Sequence, residues 1–236
     1  MIKLIIFDFD DTLIDNDKLD YQSFVSSFKE FGLSKPTLND IIKYRKKGLF
    51  AEDIIKKYLK SKKNISYLDI QSSRQKFLKN NLIISHFKLK KNLLKSLKNI
   101  KNKKIDCFLC SSRDQKKLII KFLKQKNFYQ YFSKYYFKDD LGIKIDNSNY
   151  ANRLSIKIKL LKIIINESNF RKNEILFIGN SKEDLLAAEK NKLNFIYFQN
   201  SYLPKAPIHD NMIVIDNMLN LKIKISEINK FDKKLK

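Results

Sequence analysis

A run of four apolar residues that ends in clustered carboxylates constrains this chain more than any other feature: Leu4-Ile5-Ile6-Phe7-Asp8-Phe9-Asp10-Asp11-Thr12. A continuous apolar run of this length reads as a buried strand, the kind found inside parallel sheets. A buried strand that ends in acids is costly unless something compensates the charge. A divalent cation is the natural compensator, because hard cations prefer carboxylate oxygens. Carboxylates beside a cation can also act as nucleophiles and proton carriers. The simpler alternative is a solvated acidic turn after an edge strand.

The chain has 236 residues, 43% of them hydrophobic, enough for a large core or a domain with an insert. The first apolar stretch is too short and too quickly followed by acids to be a signal peptide. No segment approaches the roughly 20 apolar residues of a membrane span. The expectation is a soluble, cytoplasmic protein. The formal net charge of +24 raises nucleic acid or an anionic membrane as partners. The basic residues, however, are mostly Lys spread along the whole chain, with no Arg-rich arm and no dense block. That distribution favours a solvated Lys surface with an attraction for anionic metabolites. Cys107 and Cys110 have C-x-x-C spacing, but they sit inside an apparent buried strand with no second pair, so they read as buried thiols.

The pattern changes after Leu13. Apolar residues at helical spacing (Leu19, Phe24, Phe28, Phe31) predict a helix over 18–31 that Gly32 caps. Thr37, three residues before Asp40, signals a second helix that Gly48 ends. Two more helices are expected over 51–59 and 70–82. Residues 16 to 86 thus read as a helical insert without a strand. Beyond it, helices (93–100, 115–126, 155–165, 182–190) alternate with short apolar runs (105–110, 135–137, 175–178, 195–198). Such alternation predicts a three-layer, Rossmann-like α/β core with a parallel sheet, whose site lies at the carboxyl ends of the strands. The segment from Met212 to Lys236 is expected to end in a frayed Lys-rich tail.

Three strand ends carry polar residues. The first has Asp8 and Asp10. The second runs into Ser111-Ser112-Arg113-Asp114. A later one runs into Gly179-Asn180-Ser181-Lys182-Glu183-Asp184, followed by Leu185-Leu186-Ala187-Ala188, and the helix before it opens with Lys157 and Lys159. In these motifs, and in their order, the chain resembles the haloacid dehalogenase-like hydrolase superfamily. The insert between the first two motifs is similar to the group with an α-helical cap, as in phosphoglycolate phosphatase-like proteins. The resemblance implies a core of residues 1–15 and 88–236 with a helical cap over 16–87.

The roles implied by that resemblance have physical reasons. Asp8 would attack phosphorus to form an aspartyl-phosphate, and Asp10 would protonate the leaving oxygen and then activate water. Asp8 and the backbone carbonyl of Asp10, with Asn180 and Asp184, would hold Mg²⁺. Ser111 would donate to the transferring group and Lys157 would neutralise it, with Lys159 and Lys144 as alternatives. Thr12 fits the turn toward the cap, and Thr12, Ser112 and Arg113 are candidates for contact with substrate. The partner implied is a small phosphorylated metabolite, with no membrane and no specific nucleic acid. The acid at Asp10 favours a phosphatase or a phosphomutase over a dehalogenase, since halide leaves without a proton. Two departures stand out: Asn180 replaces the usual Asp, and no Lys-Pro pair marks the lysine. A binding protein with a decayed site is therefore a further alternative.

Other residues read as incidental or ambiguous. Glu183 is expected to face solvent, Asp11 to cap a turn, and His86 and His209 to lack a metal-spaced partner. Arg45, Lys46 and Lys47 are either substrate-selecting residues or a cationic helix end.

Overall fold

The computed structural model describes residues 1–59, 65–142, 150–205 and 212–234. Its elements in chain order are β1 (Leu4–Phe7), β2 (Ile14–Asp15), α1 (Asp17–Glu30), α2 (Leu38–Lys46), α3 (Ala51–Leu59), α4 (Tyr67–Lys79), β3 (Lys88–Leu89), α5 (Leu93–Asn102), β4 (Asp106–Ser111), α6 (Lys116–Gln125), β5 (Lys134–Phe137), α7 (Tyr150–Glu167), β6 (Ile175–Gly179), α8 (Lys182–Asn191), β7 (Asn194–Phe198), β8 (Ile213–Ile215) and α9 (Leu221–Lys234). They form two compact units: an α/β unit (Met1–Ile14, Leu89–Gln199 and Ala206–Lys236) and a helical unit (Asp15–Lys88 and Asn200–Lys205).

The α/β unit is built on a six-stranded parallel sheet in the order β5-β4-β1-β6-β7-β8. β1 lies at its centre, which explains why all four of its residues are apolar and fully buried. At the edges burial falls away, along β5 on one side and β8 on the other. Register sets Phe7 beside Leu109 and Ile178, so β6 runs one residue and β4 two residues past the end of β1. Side chains alternate along β1. Leu4 and Ile6 point to the face covered by Ile156, Leu160 and Ile164 of α7 and Ala187 and Ala188 of α8. On the opposite face Phe7 meets Phe132, and Phe9 meets Phe122 of α6. Helices thus flank the sheet, in the Rossmann-like three-layer arrangement.

The C-terminal segment adds two elements that the sequence reading left unassigned. Before the Lys-rich end, which lies outside the described residues, it supplies the edge strand β8 and helix α9, whose Leu221, Ile225 and Ile228 are buried. Those apolar residues at i, i+4 and i+7 are a helical stripe that the high lysine content masks. Burial of that stripe outweighs the repulsion among the lysines. No helix among the described residues is long and apolar enough to cross a membrane.

In the helical unit, Phe24, Phe28, Ile41, Ile54, Ile55 and Ile70 from α1 to α4 form one core. Helix ends follow local chemistry. Thr37 Oγ1 accepts from the Asp40 amide at 3.1 Å and Asp40 accepts from the Thr37 amide at 3.3 Å, a reciprocal capping box. Gly32 and Gly48 follow α1 and α2 with φ of +63° and +78°, a left-handed stop that β-carbon-bearing residues resist. The fourth helix begins earlier than expected, at Tyr67 behind the Ser66 cap, and ends at Lys79; Asn81–His86 follows as a 3₁₀ turn.

Candidate active site

The alternation that orients Leu4 and Ile6 continues one residue past β1. Asp8 therefore points to the face covered by α7, and its amide donates to the Ile178 carbonyl at 2.9 Å, extending the sheet by one step. Lys157 lies on the buried stripe of α7, one turn before Leu161 and two turns before Ile164. Its ammonium donates to Asp8 Oδ1 and, at 2.8 Å, to Asp184 Oδ1. Lys159, two residues on, is exposed on the other side of the helix. Lys144 and His209 lie outside the described residues.

Asp184 is fixed by the start of α8. Its Oδ2 accepts from the amides of Asn180 and Ser181, both at 3.2 Å, and from Ser181 Oγ at 2.7 Å, while Ser181 Oγ accepts from the Asp184 amide. This folding back explains Gly179: a β-carbon there would stand 2.5 Å from Asp184 Cβ and Cγ. Thr12 is fully buried, and its hydroxyl bridges Asp8 Oδ2 (3.3 Å) and Asn180 Oδ1 (3.1 Å). Asp8, Thr12, Lys157, Asn180 and Asp184 thus form one buried, mutually bonded group drawn from three stretches of chain.

Its electrostatics are unbalanced, because two buried carboxylates share one ammonium. Burial raises the Asp8 pKa, Lys157 opposes that, and Asp184 and Asp10 add to it; the carboxyl ends well above its ordinary range. Burial alone would lower Lys157, but Asp184 and Asp8 together outweigh it and raise its pKa. Lys157 moves upward because two anions face it, and Asp8 moves upward chiefly through burial, to which the second anion adds.

Asp10 sits in the turn after β1, where Asp11 takes a φ of +57°. Arg113, from the loop after β4, grips the Asp10 carboxylate: Nε is 2.9 and 2.8 Å from its two oxygens and Nη2 is 2.7 Å from Oδ1. Ser111 closes β4, is fully buried, and accepts the Arg113 amide at 3.2 Å. Ser112 follows, partly exposed.

Glu183 corrects an expectation. Rather than facing solvent, its side chain is 12% exposed and accepts from Arg153 Nε and Nη2 at 3.0 and 2.8 Å. Arg153 escaped the sequence reading, although its position four residues before Lys157 puts both on one helix face. Arg45 is partly buried and bound to Asp20, whereas Lys46 and Lys47 are exposed. Cys107 and Cys110 are free and buried, and burial pushes both thiols up to about 12. His86 packs near Phe77.

The comparisons with known proteins bear on the family and the fold. The family model for haloacid dehalogenase-like hydrolases matches residues 5–198. Among solved structures, a candidate phosphatase of Clostridium difficile is similar at 18% identity, with a TM-score of 0.73 over 95% of this chain and 98% of the other. A Haemophilus somnus protein assigned by prediction as a phosphoglycolate phosphatase gives 17% identity and 0.70 over 95% and 98%. A candidate β-phosphoglucomutase of Thermotoga maritima gives 15% identity and 0.65 over 96% and 99%. No curated protein matches the chain. A family match over most of its length, with the motif residues gathered at the strand ends, means that this chain belongs to the haloacid dehalogenase-like hydrolases.

Proposed function

We propose that this hydrolase is a phosphatase that cleaves small phosphate monoesters through a phosphorylated Asp8, with Mg²⁺ as its cofactor. The observation that carries the reading is the buried trio of Asp8, Lys157 and Asp184 at the ends of β1 and β6. A deeply buried carboxylate fixed by one ammonium is poised to meet an electrophile that brings its own charge and counter-cation.

The residues present fit a hard divalent cation. The trio carries surplus negative charge, and the nearby donors are oxygens. Among the described residues no group of three His, Cys, Asp or Glu is arranged to hold a metal. The carboxylates and neutral oxygens that are present, completed by water and substrate, suit Mg²⁺. Asp8, the Asp10 carbonyl and Asn180 would hold it. Asp184, already bonded on both oxygens, would act through water. When bound, Mg²⁺ would offset the repulsion between Asp8 and a phosphoryl group.

The side chains supply the remaining chemistry. Asp8 attacks phosphorus through a carboxylate oxygen, and the bond to the leaving oxygen breaks as Asp10 gives that oxygen a proton. Water then attacks the phosphorus of the acyl phosphate and Asp10 takes its proton. The products are inorganic phosphate, the alcohol and the original carboxylate. Lys157 holds Asp8 in line and Ser111 donates to the phosphoryl oxygens. Thr12 orients Asp8 and Asn180. Substrate selection falls to the inserted helical unit, as the family resemblance implies, and the substrate is a small phosphorylated metabolite.

The test is phosphate release from an aryl phosphate with Mg²⁺, comparing the wild type with Asp8→Asn. The variant is expected to lose about 10³-fold or more. Equal release by both proteins would remove Asp8 from the reaction. Discharge of the phosphorylated enzyme faster by a sugar phosphate than by water would assign a mutase instead.

A further inference from the structure

We infer that Arg113 is a positioning residue that orients the Asp10 carboxyl for proton delivery, and not a ligand of the substrate anion. The inference rests on the phosphatase reading of this same site. Three short contacts, from Nε to both carboxylate oxygens and from Nη2 to Oδ1, fix the plane of the Asp10 carboxyl as well as its place. A planar fork does this, whereas a point charge would leave the carboxyl free to rotate.

The guanidinium is itself held. Nη1 donates to Gln115 Oε1 at 3.1 Å, the Arg113 amide donates to Ser111 Oγ, and its carbonyl accepts from the Lys138 amide at 3.2 Å. The side chain is 16% exposed. One residue thus ties the strand end that bears Ser111 to the turn that bears Asp10. For Arg113 to grip a substrate anion with the same fork, it would have to release Asp10.

Asp8, Asp10 and Asp11 crowd one turn, and the Arg113 fork fixes where the Asp10 carboxyl stands within it. Orientation matters because proton transfer to a leaving oxygen needs a donor within hydrogen-bond reach and aligned.

The experiment compares kcat/KM across a series of phenyl phosphates, from p-nitrophenyl to unsubstituted phenyl, with Mg²⁺. A good leaving group departs without a proton; a poor one requires it. For Arg113→Met the expected loss is about 100-fold on phenyl phosphate but only about threefold on the p-nitrophenyl ester, so the dependence on the leaving group steepens. Arg113→Lys, a cation without a fork, should recover less than about a tenth of the lost rate. Gln115→Leu, which loosens the guanidinium while leaving Arg113 and Asp10 in place, should steepen the dependence in the same sense by a smaller amount, and it serves if the Met variant fails to fold.

A loss equal at both ends of the series would mean that Arg113 binds the phosphoryl group common to all the esters, and would overturn the inference. So would full rescue by lysine. If the wild type hydrolyses no member of the series, the phosphatase reading fails and this inference falls with it. Hydrolysis by the wild type with an unchanged dependence in the variants overturns the Arg113 assignment alone.

Discussion

Each unit of the molecule buries a cluster of three charges, and the two clusters are opposite in sign. In the α/β unit, Asp8 and Asp184 share Lys157. In the helical unit, Arg45 and Arg74 share Asp20: Arg45 reaches both carboxylate oxygens at 2.8 Å and Arg74 reaches Oδ1 at 2.5 Å. Burial alone would raise both Asp8 and Asp20. With one cation against a second anion, Asp8 stays well above its ordinary range; with two cations, Asp20 is held at about 2. The same residue type at comparable burial thus moves in opposite directions, decided by which charge is in surplus.

The surplus is met differently in each unit. Both guanidiniums of the helical unit lie over the Phe24 ring, at 5.8 and 4.8 Å, and Arg45 also donates to the Leu49 carbonyl. That surplus is met in part by an aromatic face and a backbone dipole, while Arg74 Nε stays buried without a hydrogen-bond partner. In the α/β unit the surplus is negative, and the groups nearest it include neutral oxygens such as Asn180 Oδ1. The helical unit's cluster joins α1, α2 and α4; the α/β unit's cluster is where the proposed function would seat a cation.

Measurements of stability can break or sharpen this contrast. The largest effects are expected from removing the shared charge. Lys157→Met strands two buried carboxylates and Asp20→Asn strands two guanidiniums, so each should cost about 3–5 kcal/mol in denaturant unfolding. Asp8→Asn should cost under about 1 kcal/mol, because it leaves Lys157 and Asp184 as a one-to-one pair. If Asp8→Asn were as destabilising as Asp20→Asn, surplus charge would not distinguish the two clusters.

Mg²⁺ comes next. At a concentration 100 times its Kd it should stabilise the wild type by about 2.7 kcal/mol, read as a reversible rise in melting temperature that a chelator abolishes. The rise should persist in a conservative helical-unit variant such as Arg45→Lys and shrink sharply in Asp8→Asn. An equal rise in all three would place the ion elsewhere.

The smallest effect is the acid response of the helical cluster. Asp20 is held at about 2 in the folded protein against an ordinary 3.8. The unfolded chain therefore binds the proton first as pH falls. The stabilisation from Asp20 is complete above about pH 5 and is lost as pH falls toward 2, a difference of about 2 kcal/mol. The Asp20→Asn variant should show a flatter dependence of unfolding free energy over that window.

Legibility in the sequence followed the range of the interactions. The buried strand Leu4–Phe7, the Thr37 cap and the glycines after α1 and α2 are set by neighbours in sequence, and the order of the motifs gave the family. The helical stripe of α9 was also present, in Leu221, Ile225 and Ile228, but lay hidden among lysines. Lys157 could be separated from Lys159 only by knowing which face of α7 meets the sheet. Glu183 looked like a solvated residue until α7 brought Arg153 to it.

By itself the sequence determined the α/β alternation, the helical insert and the set of acids proposed for phosphoryl chemistry, because periodicity, capping and side-chain chemistry act over a few residues. Only the tertiary structure decided the pairings: that Lys157 is shared by Asp8 and Asp184, that Arg113 grips Asp10, and that Arg45 belongs to a buried ion cluster. Those pairings depend on charges brought together from stretches up to 149 positions apart in the chain, and the energy of a buried charge is set by the sum of such neighbours.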